Sequence, residues 1–170
     1  MNNLVEHARD FADRAHRAVN QTRKYTGEPY INHPTAVMRL LETHSSEAVA
    51  DAQRAAALLH DTVEDTEVTI AEIEQHFGAE VAELVGWLTD VSRPDHGNRA
   101  ARKAVDRAHT AAAPAEAQTI KLCDLISNTR SIVEHDEKFA RTYLAEKRLL
   151  LEVMTKGDPT LRARALQQIG

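Results

Sequence analysis

Apolar residues along the chain recur at intervals of three and four, which is the spacing of one face of an α-helix. The first such stripe comprises Leu4, Ala8, Phe11, Ala15 and Val19. No segment alternates apolar and polar residues over the length that a half-buried strand needs. The pattern therefore predicts an all-α fold, a helical bundle of about eight to nine helices.

Capping residues and helix breakers divide this pattern into segments. Thr69, followed by Glu72, has the capping-box spacing, and Gly78 suits the end of the same helix. Pro34 suits the first turn of the second helix, and Ser46 is placed to cap the third. The predicted helices cover residues 4–19, 35–42, 46–60, 69–78, 79–89, 114–133, 137–156 and 159–168.

Length, charge and composition narrow the class of protein. A chain of 170 residues is one domain by the usual length prior, so residues 1–170 are expected to form a single domain. A net charge of −5 and 4% aromatic residues argue against a nucleic-acid binder, which needs a basic face and stacking rings. No apolar run approaches the roughly 20 residues of a membrane span, and no signal peptide is visible. With a single cysteine, Cys123, the composition predicts a cytoplasmic protein without a membrane partner.

The dipeptide His60-Asp61 is the first candidate for chemistry. It follows five apolar residues, 55–59, so it lies where a buried helix leaves the core. Glu64 and Asp65 come one helical turn later, so an imidazole and three carboxylates crowd one helix end. Buried like charges are costly unless a cation compensates them. A metal site and an acidic helix end that faces water explain this dipeptide about equally well.

A second dipeptide, His135-Asp136, provides an internal comparison. It lies in the all-polar run 134–138, and charge runs are usually exposed. We therefore interpret it as a solvated turn between two helices and not as a site.

Asp124 favours the metal-site interpretation. It interrupts the apolar run 120–126, in a helix whose core stripe is predicted to be Leu122, Ile126, Thr129 and Val133. On another face, Asp124 is followed at spacings of three, four and seven by polar residues, which are Ser127, Asn128 and Ser131. A pocket wall explains this face, and a structural Asp bonded to a neighbouring helix is the alternative.

His33 is the remaining candidate ligand. A lone His just before a proline is more often a cap or loop residue than a ligand. With His60, Asp61 and Asp124, however, it would complete a set of two imidazoles and two carboxylates that leaves coordination positions open for water and substrate. Mixed nitrogen and oxygen ligands suit Mn²⁺ or Fe²⁺, and Zn²⁺ stays open.

Several motifs in a fixed order carry a resemblance to a known family. They are Arg23-Lys24, TGEPYINHP at 26–34, AALLHDTVEDT at 56–66, FGAEV at 77–81, and KLCD at 121–124 with Asn128 and Arg130. Together they resemble the HD-superfamily hydrolase domain of the Rel/SpoT alarmone enzymes. The chain stops where larger relatives would begin a synthetase domain, so it resembles the stand-alone small alarmone hydrolases.

The resemblance implies an activity and a set of site residues. The family removes the 3′-pyrophosphate of ppGpp or pppGpp, which gives GDP or GTP and pyrophosphate, with Mn²⁺ as cofactor, here one divalent ion per chain. By position, the metal ligands would be His33, His60, Asp61 and Asp124. Glu64 and Asp65 would orient or deprotonate the attacking water. The substrate-binding residues would be Arg23, Lys24, Asn128, Ser131 and Arg141.

Three positions depart from the family pattern. Cys123 stands where the family commonly has Ala, Leu125 where it has Arg or Lys, and Ser127 where it has His or Tyr. Leu125 removes a cation and Ser127 removes a large ring, so base recognition is expected to be loosened and adenosine alarmones could be admitted. Two alternatives remain open: an HD-type phosphohydrolase that acts on another nucleotide such as NADPH or a dNTP, and a catalytically inactive nucleotide-binding module.

Overall fold

Nine α-helices of eight residues or more build the fold in the computed structural model, which describes residues 3–170. A tenth helix is a single turn, a 3-10 turn spans Pro94–His96, and no strand forms within residues 3–170, only an isolated bridge between Thr22 and Pro29. The predicted all-α fold of eight to nine helices is confirmed. The helices are α1 (Asn3–Ala18), α2 (Asn32–His44), α3 (Asp51–Leu59), α4 (Thr62–Asp65), α5 (Ile70–Phe77), α6 (Ala79–Leu88), α7 (Arg99–Ala112), α8 (Ala115–His135), α9 (Glu137–Val153) and α10 (Pro159–Gln167).

The helix α3 lies at the centre of the bundle. It packs against α1, α2, α6 and α8, and residues 55–59 are completely buried. A helix that is apolar on all sides is stable only when it is surrounded by protein. Burial of Leu58 and of Leu59 each stabilises the fold by about 1.5–3 kcal/mol. Because α3 ends at Leu59, the dipeptide His60-Asp61 emerges next to the core.

The longest helix, α8, passes beside α2, α3, α6, α9 and α10. Three members of its predicted core stripe are buried, namely Leu122, Ile126 and Thr129. Val133 is 49% exposed, so its assignment to the stripe was wrong. It lies with the exposed residues 134–135 in the last turn of the helix, where the neighbouring elements no longer cover it.

Two local predictions differ from the structure. The helix α7 was not predicted, because its apolar side consists mainly of alanines between charged residues. Ser46 does not cap α3, which begins at Asp51. Instead, the backbone N–H and hydroxyl of Ser46 donate to Asp158 Oδ2 at 2.7 and 2.5 Å and tie this loop to the start of α10.

The predicted capping box at the start of α5 is confirmed. The Glu72 backbone N–H donates to Thr69 Oγ1 at 3.2 Å, and the Thr69 N–H donates to Glu72 Oε2 at 2.8 Å. Gly78 ends the helix with a φ of 88°, a backbone conformation that glycine adopts without strain. Among residues 3–170, no helix combines the length and the apolar character that crossing a bilayer requires.

Candidate metal centre and cleft

The four residues predicted to bind a metal lie together in the structure. His33 Nε2 is 3.0 Å from Asp124 Oδ1, and His60 Nε2 is 3.0 Å from Asp61 Oδ2. The cross distances are similar, with 3.7 Å from His33 Nε2 to Asp61 Oδ2 and 3.6 Å from His60 Nε2 to Asp124 Oδ1. Ligand atoms of His33, His60 and Asp61 all lie within 4.8 Å of one another, a spacing that could hold an ion.

Three helices that pack on one another bring these residues to one place. His33 lies in the first turn of α2, His60 directly follows α3, and Asp124 lies midway along α8. Each pair of these helices is in contact, so residues separated by 91 positions in the chain become neighbours. Asp61 follows His60 at the start of the single-turn helix α4.

Each imidazole uses one ring nitrogen for the protein and turns the other towards the carboxylates. His60 Nδ1 donates to the Ala57 carbonyl at 2.8 Å. Its buried Nε2 faces Asp61 Oδ2 at 3.0 Å but makes no hydrogen bond of regular geometry within residues 3–170. His33 Nδ1 lies 3.2 Å from Ser127 Oγ. Metal-bound histidines are usually oriented in this way by a second partner. The donor set therefore fits a divalent cation.

The two carboxylates are oriented by neighbours that donate hydrogen bonds. Asp61 Oδ2 accepts from the Tyr30 hydroxyl at 2.6 Å, and Asp124 Oδ1 accepts from Asn128 Nδ2 at 2.7 Å. Lys121 Nζ lies 3.1 Å from Asp124 Oδ2. Burial raises the pKa of both carboxyl groups, but the facing imidazoles and, for Asp124, Lys121 hold both pKa values below their ordinary range.

The cluster strongly attracts positive charge. Burial by itself lowers the pKa of His60, but the carboxylates of Asp61 and Asp124 raise it well above its ordinary value. Lys121 behaves in the same way, since burial lowers its pKa and the surrounding carboxylates raise it further than burial lowers it. A bound divalent cation would offset the same negative charge of the carboxylates.

A cleft of about 250 Å³ opens beside Asp61 and Asp124. Glu64, Lys103, Lys121 and Tyr143 are among its lining residues. The cleft therefore places further charged side chains next to the cluster, which are the carboxylates of Glu64, Asp90, Asp106 and Glu146 and the cations of Lys103, Arg107, Lys121 and Lys147.

Glu64 is held at the mouth of this cleft. Its side chain remains accessible to solvent, and its Oε1 accepts a hydrogen bond from the Asp90 backbone N–H. The pKa of Glu64 is raised to about 7. The larger cause is partial burial of its carboxyl group by the cleft walls, and the second is the negative charge of Asp90. A carboxyl group of this pKa can accept and release a proton near neutral pH.

Asp65, the other residue predicted to act on water, does not line the cleft. Its Oδ2 accepts from Gln21 Nε2 at 2.9 Å, and Gln21 Oε1 accepts in turn from His16 Nδ1 at 2.7 Å. His16 is buried, which lowers its pKa, and its ring packs against Tyr30 with 4.5 Å between ring centroids. A chain of contacts therefore leads from α1 to Asp65.

The residues predicted to bind substrate fall into two groups. Asn128 lines the cleft, and Arg23 and Ser131 line a shallow depression that also includes His33. Lys24 and Arg141 contact neither. Lys24 Nζ lies 3.9 Å from Asp136 Oδ2, and Arg141, with its side chain 83% exposed, pairs with Glu137 at 3.6 Å.

The departures from the family pattern also occupy different surfaces. Leu125 lines the cleft, whereas Ser127 lies beside His33 outside it. Cys123 is completely buried, and burial raises the pKa of its thiol.

Sequence reasoning assigned no role to the neighbours that position the site. Tyr30 and Lys121 stand inside quoted motifs, so their place next to candidate ligands was the available signal. Asp106 gave none. Its carboxylate accepts from the backbone N–H groups of Val91 and Ser92 at 3.0 and 2.8 Å, which holds the loop whose Asp90 contacts Glu64.

The second dipeptide is structural. His135 Nδ1 donates to the Ser131 carbonyl at 2.9 Å, and its ring stacks on Tyr25. Asp136 caps α9 by accepting from the Phe139 N–H at 3.0 Å. Both residues therefore serve the junction of α8 and α9, as the all-polar run indicated.

Comparisons with known proteins agree with this arrangement. The HD domain family matches residues 8–150. The guanosine-3′,5′-bis(diphosphate) 3′-pyrophosphohydrolase MESH1 of Homo sapiens is 42% identical over 126 residues, which cover 74% of this chain and 67% of that relative. Its Mus musculus counterpart is 41% identical over the same length. The solved structure of a metazoan ortholog of SpoT that hydrolyzes ppGpp superposes on this chain with a TM-score of 0.87 at 24% identity. The superposition covers 99% of this chain and 94% of the ortholog's chain, so the two share a fold.

The chain belongs to the HD-domain family. Within that family it belongs with the guanosine-3′,5′-bis(diphosphate) 3′-pyrophosphohydrolases to which it is similar, the MESH1 proteins of Homo sapiens and Mus musculus.

Proposed function

We propose that the protein is a metal-dependent phosphohydrolase that removes the 3′-pyrophosphate of ppGpp or pppGpp and releases GDP or GTP and pyrophosphate. The observation that carries the proposal is the buried cluster of two imidazoles and two carboxylates beside a cleft that is lined by Glu64 and three lysines. The names of the human and mouse relatives support this substrate class.

His33, His60, Asp61 and Asp124 are proposed to hold one divalent ion per chain. The mixed nitrogen and oxygen set supports Mn²⁺ as the ion. A bound ion would lower the pKa of a coordinated water and polarise a phosphoryl oxygen. Tyr30 and Asn128 would keep the two carboxylates in their orientation, since each donates a hydrogen bond to one of them.

Glu64 is proposed to take a proton from the attacking water. Its position in the cleft next to Asp61 supports this role, and so does a pKa of about 7, which matches the operating pH of a general base. Asp65, fixed by Gln21, is proposed to orient the water or the turn that carries Glu64.

The charge of the substrate requires cations in the cleft. Lys103 and Lys121 line it and would offset the phosphate charge that moves during the reaction. Asn128, Arg23 and Ser131 are proposed to contact the nucleoside. Lys24 and Arg141 pair with carboxylates elsewhere, so their contact with substrate would require those exposed pairs to open. Such pairs contribute little to stability, about 0–1 kcal/mol.

A wider substrate range is the second candidate function. Leu125 supplies an apolar contact in the cleft where a cation is expected from the family pattern. This observation favours activity on adenosine alarmones in addition to guanosine alarmones, and NADPH and dNTPs are therefore included in the assay.

The single domain over residues 1–170 and the cytoplasmic location stay predictions.

An assay of the purified chain tests the proposal. Mn²⁺, Mg²⁺ and Zn²⁺ are each supplied with ppGpp, the corresponding adenosine alarmone, NADPH and dNTPs, and the products are separated by ion-exchange chromatography. The expected result is Mn²⁺-supported conversion of ppGpp to GDP and pyrophosphate. Turnover of NADPH or dNTPs but not of ppGpp would establish the alternative phosphohydrolase, and nucleotide binding without any turnover would establish the inactive module.

A further inference from the structure

A groove of about 730 Å³ lies between α1, α2, α8 and α10 and shares no lining residue with the cleft. We call it the arginine groove, because four of its lining residues are Arg9, Arg39, Arg130 and Arg164. All four arginines are exposed. Each comes from a different helix, so only the packing of the bundle brings them together.

The positive charge of the arginine groove is uncompensated. In the described part of the chain, no Asp or Glu lines it, although the full sequence has 26 acidic residues and a net charge of −5. Within residues 3–170, none of its four guanidinium groups has an ion pair or a hydrogen bond. Other arginines are paired, for example Arg17 with Asp13 at 2.9 Å and Arg99 with Glu146 at 2.7 Å.

The wall of the arginine groove contains a buried hydroxyl. Thr35 lines the groove and is 9% exposed, and its Oγ1 makes no hydrogen bond to any of residues 3–170. Ser127 lines the groove as well, and its Oγ is the atom next to His33 Nδ1. Unpaired buried hydroxyls are uncommon in folded proteins. Ser127 therefore adds a polar side chain to the groove wall, and the Thr35 hydroxyl lies buried within that wall.

We propose that the arginine groove binds a polyphosphate anion, either inorganic pyrophosphate or the phosphate chain of a nucleotide. Guanidinium groups bind phosphate oxygens through paired hydrogen bonds, and four of them match an anion with several negative charges better than a single phosphate. Among residues 3–170, no Phe, Tyr or Trp lines the groove, and His44 is its one aromatic residue, so the guanidinium groups dominate its chemistry.

This site goes beyond the proposed hydrolysis, because binding there needs neither a metal nor a reaction. Ser127 in the groove wall contacts His33 of the metal centre. The groove also shares four lining residues with the depression that holds Arg23 and Ser131, which are Asn32, Ala36, Ser127 and Arg130. Arg39 and Arg164 lie outside both the cleft and that depression, so they report on the groove alone.

The test is calorimetric titration of inorganic tripolyphosphate into the full chain at low ionic strength. The double variant Arg39→Gln/Arg164→Gln is compared with Arg14→Gln/Arg148→Gln, which removes two exposed arginines that do not line the groove. We expect the groove variant to bind at least tenfold more weakly than the wild type and the control variant to bind within twofold of it. Equal affinity of all three proteins would overturn the proposal. Thermal unfolding of each variant verifies that the fold is intact.

Two further arms separate the groove from the metal centre and identify the ligand chemistry. Asp61→Ala is expected to bind tripolyphosphate as the wild type does. If Asp61→Ala lost this binding and the groove variant kept it, the anion would bind at the metal centre and the assignment would be overturned. Pyrophosphate and GTP are expected to bind in a manner that depends on Arg39 and Arg164, whereas GMP is expected to bind at least tenfold more weakly than GTP. Equal binding of GMP and GTP would contradict recognition of a polyphosphate. Because no step measures hydrolysis, failure of the proposed activity would leave these outcomes unchanged.

Discussion

Individual side chains in the metal centre are positioned by second partners. The Ala57 carbonyl holds His60 Nδ1, Ser127 lies against His33 Nδ1, and Tyr30 donates to Asp61. These contacts fix which ring nitrogen and which carboxylate oxygen face the centre. Metal affinity and turnover are therefore expected to depend on two kinds of residue that substitutions can separate: ligands and the groups that act on water.

Asp61 is the ligand whose loss is most easily interpreted. Its carboxylate is close to both imidazoles, so Asp61→Ala should abolish both stoichiometric metal binding and alarmone hydrolysis. Metal analysis and kinetics on the same preparation measure the two effects. His135→Ala is the matched control, since it removes a His from the structural dipeptide and should leave both near wild type. A full equivalent of metal retained by Asp61→Ala would refute the assignment.

Glu64 separates proton transfer from metal binding. The substitution Glu64→Gln keeps the shape and an oxygen that can accept from the Asp90 N–H, but it cannot take a proton. We expect near-normal metal affinity and a kcat lower by about 10²–10⁴, the usual range for loss of a general acid or base. KM should change little, because the lost interaction belongs to the transition state.

Metal titration and steady-state kinetics test this prediction together. Loss of the metal in Glu64→Gln would identify Glu64 as a ligand. A kcat within about threefold of wild type would transfer the role to Asp65 or to the metal alone.

At the scale of helices, α8 connects the metal centre to two different surfaces. Asp124 contacts the centre, Leu125 and Asn128 line the cleft, and Ser127 lines the arginine groove. Successive positions of one helix point in different directions, about 100° apart. The family departures at Leu125 and Ser127 therefore alter separate surfaces, which the sequence alone presents as one short segment.

Selectivity for the base is the property of α8 that substitution can test. Leu125→Arg/Ser127→His restores the charge and bulk typical of the family and should change the ratio of kcat/KM between guanosine and adenosine alarmones by at least about fivefold, or roughly 1 kcal/mol. Leu125→Arg alone tests the cleft that Leu125 lines, and Ser127→His alone tests the depression that Ser127 shares with Arg23 and Ser131. An unchanged ratio in a folded, active double variant would refute the interpretation.

At the scale of the whole molecule, a buried lysine connects α8 and α9 with the residue that follows α10. Lys147 of α9 is 1% exposed and donates to Thr129 Oγ1 at 2.8 Å and to Gln168 Oε1 at 2.7 Å. No carboxylate lies in an ion pair with it within residues 3–170, and burial lowers its pKa to about 8. The packing of α8, α9 and residue 168 thus encloses an ammonium group whose charged form is less favourable there than in water.

The stability of the fold should therefore depend on pH through Lys147. An unfolded lysine has a pKa of about 10.4, so between pH 8 and that value the unfolded chain binds more protons and stability rises with pH. Lys147→Met removes the buried charge and should stabilise the protein by roughly 1–3 kcal/mol near pH 7, with a smaller gain towards pH 10.

Thermal unfolding of Lys147→Met and wild type between pH 6 and pH 10 measures this difference. Lys138→Met, which replaces an exposed lysine, serves as the control and should show no such trend. A gain that is constant across this range would show that packing and not charge is responsible.

The sequence by itself determined the helices with strong apolar stripes, the capping box at Thr69 and Glu72, and the identity of the candidate ligands. These features depend on neighbours within one or two helical turns, or on motifs that remain intact in the chain. It did not determine α7, the role of Ser46 or the exposure of Val133, because each depends on which element packs against it.

The tertiary structure alone decided how the chemistry is arranged in space. It placed Glu64 in the cleft and Asp65 outside it, tied Lys24 and Arg141 to other carboxylates, and gathered four arginines from four helices into one groove. The physical reason is that hydrophobic burial fixes the helices without regard to the polar residues they carry. Which polar side chains then meet across the bundle follows from packing between distant segments, and no local pattern encodes it.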